Sequence, residues 1–188
     1  EAGPGVTRVK AGDRVAAIFV QRWLAGRGDP AYASSALGGP SDGVLAERIV
    51  LPEEGVVSIP PHLTFEEAAT LPCAAVTAWH ALFARGGLTA GETVLTLGTG
   101  GVSLFAAQFA RMAGARVIVI SGSEEKIARL KAMGVIDVVN YRTTPDWEGA
   151  VMDLTGGQGA DHVVELGGAG TFRKSLLALR VGGRLYAI

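Results

Sequence analysis

From about residue 91 onward, short apolar runs alternate regularly with amphipathic stretches. The apolar runs are rich in β-branched residues and have the length of strands, whereas the stretches between them repeat their apolar positions at helical spacing. Val102, Phe105 and Phe109, for example, fall on one stripe of a helix. The pattern predicts strands at Glu92–Leu97, Arg116–Ile120, Asp137–Tyr141, His162–Leu166 and Arg184–Ile188. It also predicts helices at Val102–Ala113, at Glu124–Met133, from Thr144-Pro145 to about Gly156, and at Thr171–Leu179.

The predicted strands are apolar almost without interruption, and this indicates the kind of sheet they form. Strands of a parallel sheet that is covered by helices on both faces have such continuous apolar runs, whereas half-exposed strands alternate apolar and polar positions. Strands and helices that alternate along the chain are also typical of a parallel sheet. The sequence therefore predicts an α/β fold with a doubly wound parallel sheet.

The first 60 residues follow a different pattern, in which short β-rich pieces are separated by turns. Arg14–Val20 and Gly43–Leu51 are predicted strands, and Pro52 ends the second of them. The segment between them, Arg22–Asp42, is rich in polar and small residues and is predicted to be a long loop. We therefore expect this part of the chain to be a β-rich unit.

A helix signal follows the β-rich part. Thr64 precedes Glu67 by three residues, which is the spacing of a capping box. This spacing predicts a helix over Phe65–Leu71. We therefore divide the chain into two domains, residues 1–72 and residues 73–188.

The composition narrows the classes of protein to which the chain can belong. It is 48% hydrophobic, which predicts a sizeable core, and its formal net charge is -1. This balance gives no electrostatic reason to expect nucleic acid or a membrane surface as a partner. The small-molecule substrate that we expect is supported by the motifs of the chain and not by its charge. No apolar run reaches the roughly 18 residues that a membrane helix needs. The single cysteine, Cys73, cannot form an internal disulfide, which favours a reducing, cytoplasmic location.

The first strand of the alternating region is followed by a glycine-rich loop that opens the next helix. Its spacing, Gly98-x-Gly100-x-x-Ser103, follows the dinucleotide fingerprint with serine in place of the third glycine. In that fingerprint the first glycine makes a tight turn, the second lets the backbone approach a pyrophosphate, and the third lets helix and strand pack closely. The N–H groups of Gly101 and Val102 would meet the pyrophosphate at the positive end of the helix dipole. We therefore predict a dinucleotide site in this loop.

The glycine loop has other interpretations. A glycine-rich turn between a strand and a helix can be purely structural, although a mononucleotide P-loop is disfavoured because no Gly-Lys-Ser/Thr sequence follows. A methyltransferase-like domain also has such a loop, but it normally needs an acidic residue at the end of the second strand. A dinucleotide-binding module without catalytic activity, such as a redox sensor, fits the loop as well as an enzyme does.

The end of the second predicted strand indicates which dinucleotide is bound. Proteins that bind NAD usually carry Asp or Glu about 20 residues beyond the first glycine, but Ser121 and Ser123 occupy this region. Their hydroxyls offer hydrogen bonds to a 2′-phosphate, as do Lys126 in the next helix and Tyr141 at the end of the next strand. NADP(H) is therefore favoured over NAD(H). The alternative is that Ser123 only caps the helix and that Lys126 is a solvated surface residue.

Four motifs, taken together, are similar to those of one protein superfamily. They are Gly12–Val15 (GDRV), Asp42–Glu47 (DGVLAE), Leu71–Trp79 (LPCAAVTAW) and Gly98–Ser103 (GTGGVS). Over essentially its whole length the chain resembles the medium-chain dehydrogenase/reductase superfamily, and within it the alcohol dehydrogenase-like and quinone oxidoreductase-like branch. The resemblance implies a Rossmann dinucleotide-binding domain preceded by part of a β-rich GroES-like catalytic domain, to which the first two motifs correspond.

The resemblance also implies an activity, namely hydride transfer between NADP(H) and a carbonyl, alcohol, enone or quinone substrate. It places Thr77 near the nicotinamide ribose, Lys126 and Tyr141 at the adenosine 2′-phosphate, and the turn at Gly167 along the cofactor. No residue is assigned as catalytic. Compared with the superfamily, the chain is expected to lack the first part of the catalytic domain, the sixth Rossmann strand and the C-terminal return to the catalytic domain. The full-length parent is expected to be a homodimer.

The chain offers few candidates for a metal site. Cys73 aligns with a catalytic-zinc ligand of the zinc-dependent alcohol dehydrogenases, but the other ligands would lie before Glu1. His62, His80 and His162 show no ligand spacing with Cys73 or with one another. We therefore predict no metal, and we interpret Cys73 as a small buried hydrophobe and His80 as a packed or hydrogen-bonded residue. The alternative is a fragment of a zinc-dependent alcohol dehydrogenase.

Glu165 is a further candidate for the site. It ends the fourth predicted strand of the alternating region, at the edge where sheets of this type bind ligands. It either contacts a ligand there or only holds a neighbouring backbone amide.

Overall fold

The first part of the chain contains little regular structure. Residues 1–188 are described by a computed structural model, in which they form two units, Glu1–Cys73 and Ala74–Ile188. In the first unit, strand β1 (Val15–Ala17) pairs antiparallel with strand β2 (Val56–Ser58). A 3₁₀ helix at Pro30–Ser35 interrupts the predicted loop between them. The first predicted strand is thus confirmed only in its centre, and β2 lies where the sequence predicts no strand. None of the helices is long and apolar enough to cross a lipid bilayer.

The prediction of a strand at Gly43–Leu51 is wrong. The segment belongs to neither of the two sheets, and the side chains of Leu45 and Val50 are almost fully exposed. Apolar residues in alternation form a strand only where a partner strand accepts their backbone hydrogen bonds and a packed face buries their side chains. This segment has neither a partner strand nor a packed face, so its apolar pattern does not make it a strand.

Helix α1 (Phe65–Ala69) begins as the capping-box spacing predicts. Thr64 Oγ1 accepts a hydrogen bond from the Glu67 N–H at 3.1 Å, and Glu67 Oε2 accepts one from the Thr64 N–H at 2.8 Å. The prediction of this helix start is therefore confirmed, although the helix ends at Ala69 instead of Leu71.

The segment that leads to the main sheet is helical but irregular. A short helix, α2 (Val76–Trp79), is flanked by two π-helical turns at Leu71–Ala75 and His80–Arg85. Turns of this kind are rare and often lie at functional sites. Nothing in the apolar pattern of the sequence distinguishes them from ordinary α-helical turns.

The second unit is built around a five-stranded sheet in which every neighbouring pair of strands is parallel. Its strands are β3 (Thr93–Leu97), β4 (Arg116–Ser121), β5 (Asp137–Asn140), β6 (Ala160–Glu165) and β7 (Leu179–Ala187). Its helices are α3 (Gly101–Met112), α4 (Glu124–Ala132), α5 (Trp147–Leu154) and α6 (Phe172–Leu177). The strand order is β5-β4-β3-β6-β7. The predicted α/β fold with a doubly wound parallel sheet is confirmed.

The strand order reverses next to β3. After β3 the chain adds β4 and β5 on one side, and it then crosses back to add β6 and β7 on the other side. Thr96 of β3 accordingly lies opposite Val119 of β4 and Val164 of β6. In open α/β sheets, ligands bind in the crevice at such a switch point, outside the carboxyl ends of the strands.

Both faces of the sheet are buried at its central strands, β4, β3 and β6. Val94 of β3 belongs to one hydrophobic cluster, together with Ala110 of α3. Leu95, the next residue of β3, belongs to a second cluster, together with Trp147 and Val151 of α5. Consecutive residues of one strand therefore face two different cores, which explains why the strand is a continuous apolar run.

Helix α5 begins later than the sequence predicts. Thr144-Pro145 is the predicted N-cap pair, but the N-cap is Asp146. The N–H groups of Thr143 and Thr144 both donate to the Asn140 carbonyl oxygen, at 3.2 and 2.8 Å. The prediction is wrong because Thr144 belongs to the hydrogen-bonded turn that ends β5.

A fully buried histidine links three parts of the second unit. Nδ1 of His162 lies 2.7 Å from Tyr186 Oη, and its Nε2 lies 3.1 Å from Glu92 Oε2. Although burial alone would raise it, the pKa of Glu92 lies below its ordinary value because the Thr89 N–H and His162 hydrogen-bond to the carboxylate. Burial, together with the negative charge of Glu92, raises the pKa of Tyr186 to about 12.

Tyr186 should make the stability of the fold sensitive to alkaline pH. The pKa of a tyrosine is about 10 in an unfolded chain, so between about pH 10 and about pH 12 the folded state keeps a proton that the unfolded chain has lost. The free energy of unfolding therefore decreases as the pH rises through this interval. Tyr186→Phe should be less stable at neutral pH, because it loses the contact with His162, but it should lose less further stability in the alkaline interval. Urea unfolding followed by circular dichroism measures both proteins, and equal alkaline losses would contradict this expectation.

Candidate functional site

The loop between β3 and α3 lies at the carboxyl end of β3, beside the switch point. Gly98 has a φ of +77°, in the left-handed region that favours glycine, and its N–H donates to the Ile120 carbonyl oxygen at 2.7 Å. A Cβ on Gly98 or Gly100 would meet no atom within 4 Å. No protein atom therefore requires a small residue at Gly100, where φ is -75°. The space in front of the loop is open to a ligand.

Helix α3 starts from this loop. Its N-cap, Gly100, has no side chain to accept hydrogen bonds, and the Leu104 N–H donates to the Gly100 carbonyl oxygen at 3.0 Å. The N–H groups of Gly101 and Val102 come before this bond and have no acceptor within the helix. They lie at the positive end of the helix dipole, which is a geometry that binds anions.

Ser103 occupies the third position of the fingerprint and is buried. Its hydroxyl donates to the Leu97 carbonyl oxygen at 2.5 Å, and this bond fastens the first turn of α3 to the end of β3. Close by, a Cβ on Gly101 would lie 3.2 Å from the Ala74 Cβ, which is a tight contact. Serine therefore preserves the close packing of helix and strand and adds a hydrogen bond that glycine cannot make.

The residues predicted for the adenosine 2′-phosphate lie around the end of β4. Ser121 is buried, and its Oγ lies 3.5 Å from the Ser123 N–H. Ser123 is the N-cap of α4, and its hydroxyl oxygen accepts a hydrogen bond from the Lys126 N–H at 3.4 Å. The Lys126 side chain is exposed. Ser123 thus caps the helix, and whether it and the exposed Lys126 also bind a ligand stays a prediction.

Tyr141 joins this group through a contact that the sequence does not reveal. A Cβ on Gly122 would lie 2.3 Å from Cζ and 2.5 Å from Oη of Tyr141, so the ring packs directly on the Gly122 backbone. Strands β4 and β5 are neighbours, with Ser121 opposite Asn140, and this register brings the two residues together. Tyr141 is 46% exposed, so its ring also faces solvent beside Ser123. Gly122 is the residue of this group that the sequence analysis missed.

Thr77 and Gly167 lie in other elements of the second unit. Thr77 is a half-buried residue of α2, a helix that packs against α3. Gly167 follows β6, and its N–H donates to Glu165 Oε1 at 2.6 Å. Because Glu165 is only 2% exposed, the second interpretation of this residue is correct, and its carboxylate holds neighbouring backbone amides.

The side chains of this chain do not fit a zinc ion. No group of three or more His, Cys, Asp and Glu side chains is placed so that it could hold a metal ion. Cys73 is exposed and is not part of a disulfide, so its interpretation as a buried hydrophobe is wrong. Within the π-helical turn Ala75 is the buried residue, whereas Cys73 is exposed. His80 is exposed as well, so of its two interpretations, packed or hydrogen-bonded, the first is wrong.

The Ser103 hydroxyl should contribute measurably to stability. Ser103→Ala leaves the buried Leu97 carbonyl oxygen without this donor, which should lower the free energy of unfolding by about 1–3 kcal/mol. Thr143→Val is a matched control, because it removes an exposed hydroxyl that donates to the Asn140 carbonyl oxygen, and its effect should stay below about 0.5 kcal/mol. Urea unfolding measures both variants. Equal effects would show that the Ser103 bond does not fasten α3 to β3.

Known proteins match the chain over its whole length. Residues 101–188 match the zinc-binding dehydrogenase family. A zinc-type alcohol dehydrogenase-like protein of Schizosaccharomyces pombe is 43% identical over 188 residues, which are 99% of this chain and 54% of that protein. A crystal structure from Sinorhizobium meliloti, described as an alcohol dehydrogenase, has a TM-score of 0.92 and 45% identity, and the match covers 99% of this chain and 55% of that chain.

A further solved structure, of an NAD-dependent alcohol dehydrogenase, has a TM-score of 0.85 and 39% identity, and the match covers 98% of this chain and 55% of that chain. The chain thus spans about half the length of the relatives that it matches. Sequence motifs, sheet topology and these matches agree with one another. The chain therefore belongs to the medium-chain dehydrogenase/reductase superfamily, with zinc-binding dehydrogenases of the alcohol dehydrogenase-like type as its relatives.

Proposed function

We propose that the chain forms the dinucleotide-binding domain, and part of the GroES-like catalytic domain, of an NADP(H)-dependent oxidoreductase. The enzyme transfers a hydride between nicotinamide and a carbonyl, alcohol, enone or quinone substrate. The observation that carries this proposal is the open glycine turn at the start of α3, which lies at the switch point of a parallel sheet. Alcohol dehydrogenase-like relatives support hydride transfer as the reaction.

In this proposal, backbone groups bind the pyrophosphate. Gly98 and Gly100 leave room for it, and the N–H groups of Gly101 and Val102 donate to its oxygens. A dinucleotide that is bound across a switch point extends to both sides of it. One nucleoside would therefore lie over the ends of β4 and β5, and the other would lie beside the end of β6.

The adenosine half is assigned to the side of β4 and β5. Ser121, and not Asp or Glu, ends β4, so the carboxylate that usually binds the ribose hydroxyls of NAD is missing from this position. Ser123 and Tyr141 flank the same turn, and Lys126 supplies an exposed ammonium group that takes part in none of the ion pairs of the fold. These groups favour NADP(H). Because one relative is NAD-dependent, the choice between the two cofactors needs a test of its own.

When it is bound, the nicotinamide cofactor supplies the hydride chemistry. The chain's own residues bind it, orient it and exclude water, with Thr77 proposed near the nicotinamide ribose and Gly167 along the cofactor. No side chain of this chain is assigned as a proton donor, and no step is assigned to zinc, because the chain lacks a fitting set of ligands. We expect the full-length protein to be a zinc-independent, cytoplasmic homodimer.

Gly100→Ala should separate ligand binding by the loop from a purely structural role. The methyl group meets no protein atom within 4 Å, so the free energy of unfolding should fall by no more than about 1 kcal/mol, which is the cost of alanine at an N-cap. It would occupy the space proposed for the pyrophosphate, so affinity for NADPH should fall about tenfold or more. Gly149→Ala is the control, since a Cβ on this α5 residue also meets no atom within 4 Å. Fluorescence titration with NADPH measures binding, and unchanged affinity of Gly100→Ala would contradict the site.

Lys126→Ala should change the preference between cofactors. If the ammonium group binds the 2′-phosphate, loss of this charge-assisted contact weakens NADPH binding about tenfold and leaves NADH binding unchanged. Lys131→Ala, in the last turn of the same helix, should change neither. Titrations with NADPH and NADH at one salt concentration measure all three proteins. Equal affinity of the unaltered chain for both would remove the NADP(H) preference, and binding of neither would contradict the dinucleotide proposal.

A further inference from the structure

A buried carboxylate lies at the carboxyl end of β6, on one side of the switch point. Oε1 of Glu165 accepts hydrogen bonds from the Gly167 N–H at 2.6 Å, from the Gly168 N–H at 3.0 Å and from the Thr171 hydroxyl at 2.6 Å. Its Oε2 accepts one from the Ser175 hydroxyl. A carboxyl group can be buried here, at 2% exposure, because both of its oxygens are hydrogen-bonded.

Two of these four donors, the N–H groups of Gly167 and Gly168, belong to one glycine-rich turn, and Thr171, which carries the third, directly follows it. The turn contains the 3₁₀ segment Gly168–Gly170, and a Cβ on Gly168 or Gly170 would meet no atom within 4 Å. On the side of the turn that faces Glu165, by contrast, a Cβ on Gly167 would lie 2.2 Å from Thr171 Oγ1. The turn is therefore fastened on its inner side by Glu165 and is open on its outer side.

The same contacts exclude a direct chemical role for this carboxylate. Both oxygens are occupied by donors from the protein, and almost none of the side chain is accessible. A general acid or base must lie within hydrogen-bonding reach of the proton that it transfers. Any effect of Glu165 on a ligand must therefore pass through the turn that it holds.

The turn lies on the side of the switch point away from the proposed adenosine site. Ser123 and Tyr141 follow β4 and β5, whereas the turn follows β6, on the other side of β3. A dinucleotide across the crevice has its two nucleosides on opposite sides of the switch point. If the adenosine lies over β4 and β5, the nicotinamide half lies beside the open face of the Gly167–Gly170 turn.

We propose that Glu165 is a positioning residue for the nicotinamide half of the cofactor, and that it acts through the Gly167–Gly170 turn without touching the cofactor. This inference rests on the function proposed above. A turn with four residues of which three are glycine has many conformations when it is unrestrained. The carboxylate holds it in one of them, so the turn loses little conformational entropy when a ligand binds.

The test compares a whole dinucleotide with its adenosine fragment. The pair is NADPH with 2′,5′-ADP, or NADH with ADP if the unaltered chain prefers NADH, and calorimetric titration gives both dissociation constants. Glu165→Ala should weaken binding of the dinucleotide about tenfold and binding of the fragment less than about twofold. Glu165→Gln, which keeps one carbonyl oxygen for the donors of the turn, should restore most of the lost affinity.

Two further variants separate positioning from general destabilisation. Thr171→Val keeps the carboxylate and removes one of its partners, so it carries the test if Glu165→Ala does not fold, with a selective loss of about threefold expected. Val151→Ala opens a cavity in a core cluster under the sheet and should lower the melting temperature without changing the ratio of the two dissociation constants.

Selective loss of dinucleotide affinity in the Glu165 and Thr171 variants supports the inference. The inference is overturned if the variants bind both ligands equally more weakly, if they bind neither more weakly, or if Val151→Ala shows the same selective loss. In each of these cases, tight binding of the dinucleotide by the unaltered chain still supports the proposed function. If the unaltered chain binds neither ligand, the proposed function itself fails and the inference falls with it.

Discussion

Strand β3 is paired on both sides with parallel strands, and the position of the candidate site follows from that pairing. Two neighbouring parallel strands cannot be joined by a hairpin. The chain must instead cross over from the carboxyl end of one strand to the amino end of the next. The chain builds β4 and β5 on one side of β3 and then crosses over to add β6 on its other side. The connections at the carboxyl end of β3 therefore diverge, and a crevice opens between them. Its location depends on hydrogen bonding between strands and not on any single side chain.

Around this crevice, buried polar side chains bind the backbone of the protein. The Ser103 hydroxyl donates to the carbonyl oxygen of Leu97, and the Glu165 carboxylate accepts from the amides of the turn after β6. What remains open toward the crevice is mostly glycine backbone and the N–H groups at the start of α3. A site of this kind suits a ligand that all members of a family share. Selectivity must then come from exposed side chains at its rim, of which Lys126 is the candidate in this chain.

The sequence was most informative where local pattern and tertiary environment agree. The central strands of the main sheet were predictable because both of their faces are buried. Thr64 with Glu67 located a helix start because a capping box is a local interaction. The strand predicted at Gly43–Leu51 and the buried position predicted for Cys73 failed, because each depends on which neighbours the chain supplies in space.

The same distinction applies to the candidate site. The glycine loop could be recognised because its residues are close in sequence, and the roles assigned to them in ligand binding stay predictions. The packing of Tyr141 on Gly122 could not be foreseen, since only the register of β4 and β5 brings them together. The bond of Glu165 with neighbouring backbone amides was one of its two predicted roles, because those amides follow it directly in the sequence, whereas its bond with Ser175, ten residues further along in α6, was not predicted.

The hydroxyl of Ser103 bears on how such loops diverge during evolution. A helix that starts close to a strand leaves little room for the side chain at the third position of the fingerprint. That position can hold glycine, which has no side chain, or serine, whose short side chain hydrogen-bonds to the last carbonyl group of the strand. Glycine and serine are therefore alternative solutions to one packing problem, and exchange between them leaves the shape of the loop intact. A search pattern that demands glycine at this position would pass over loops of this type, although their helix starts just as close to the strand.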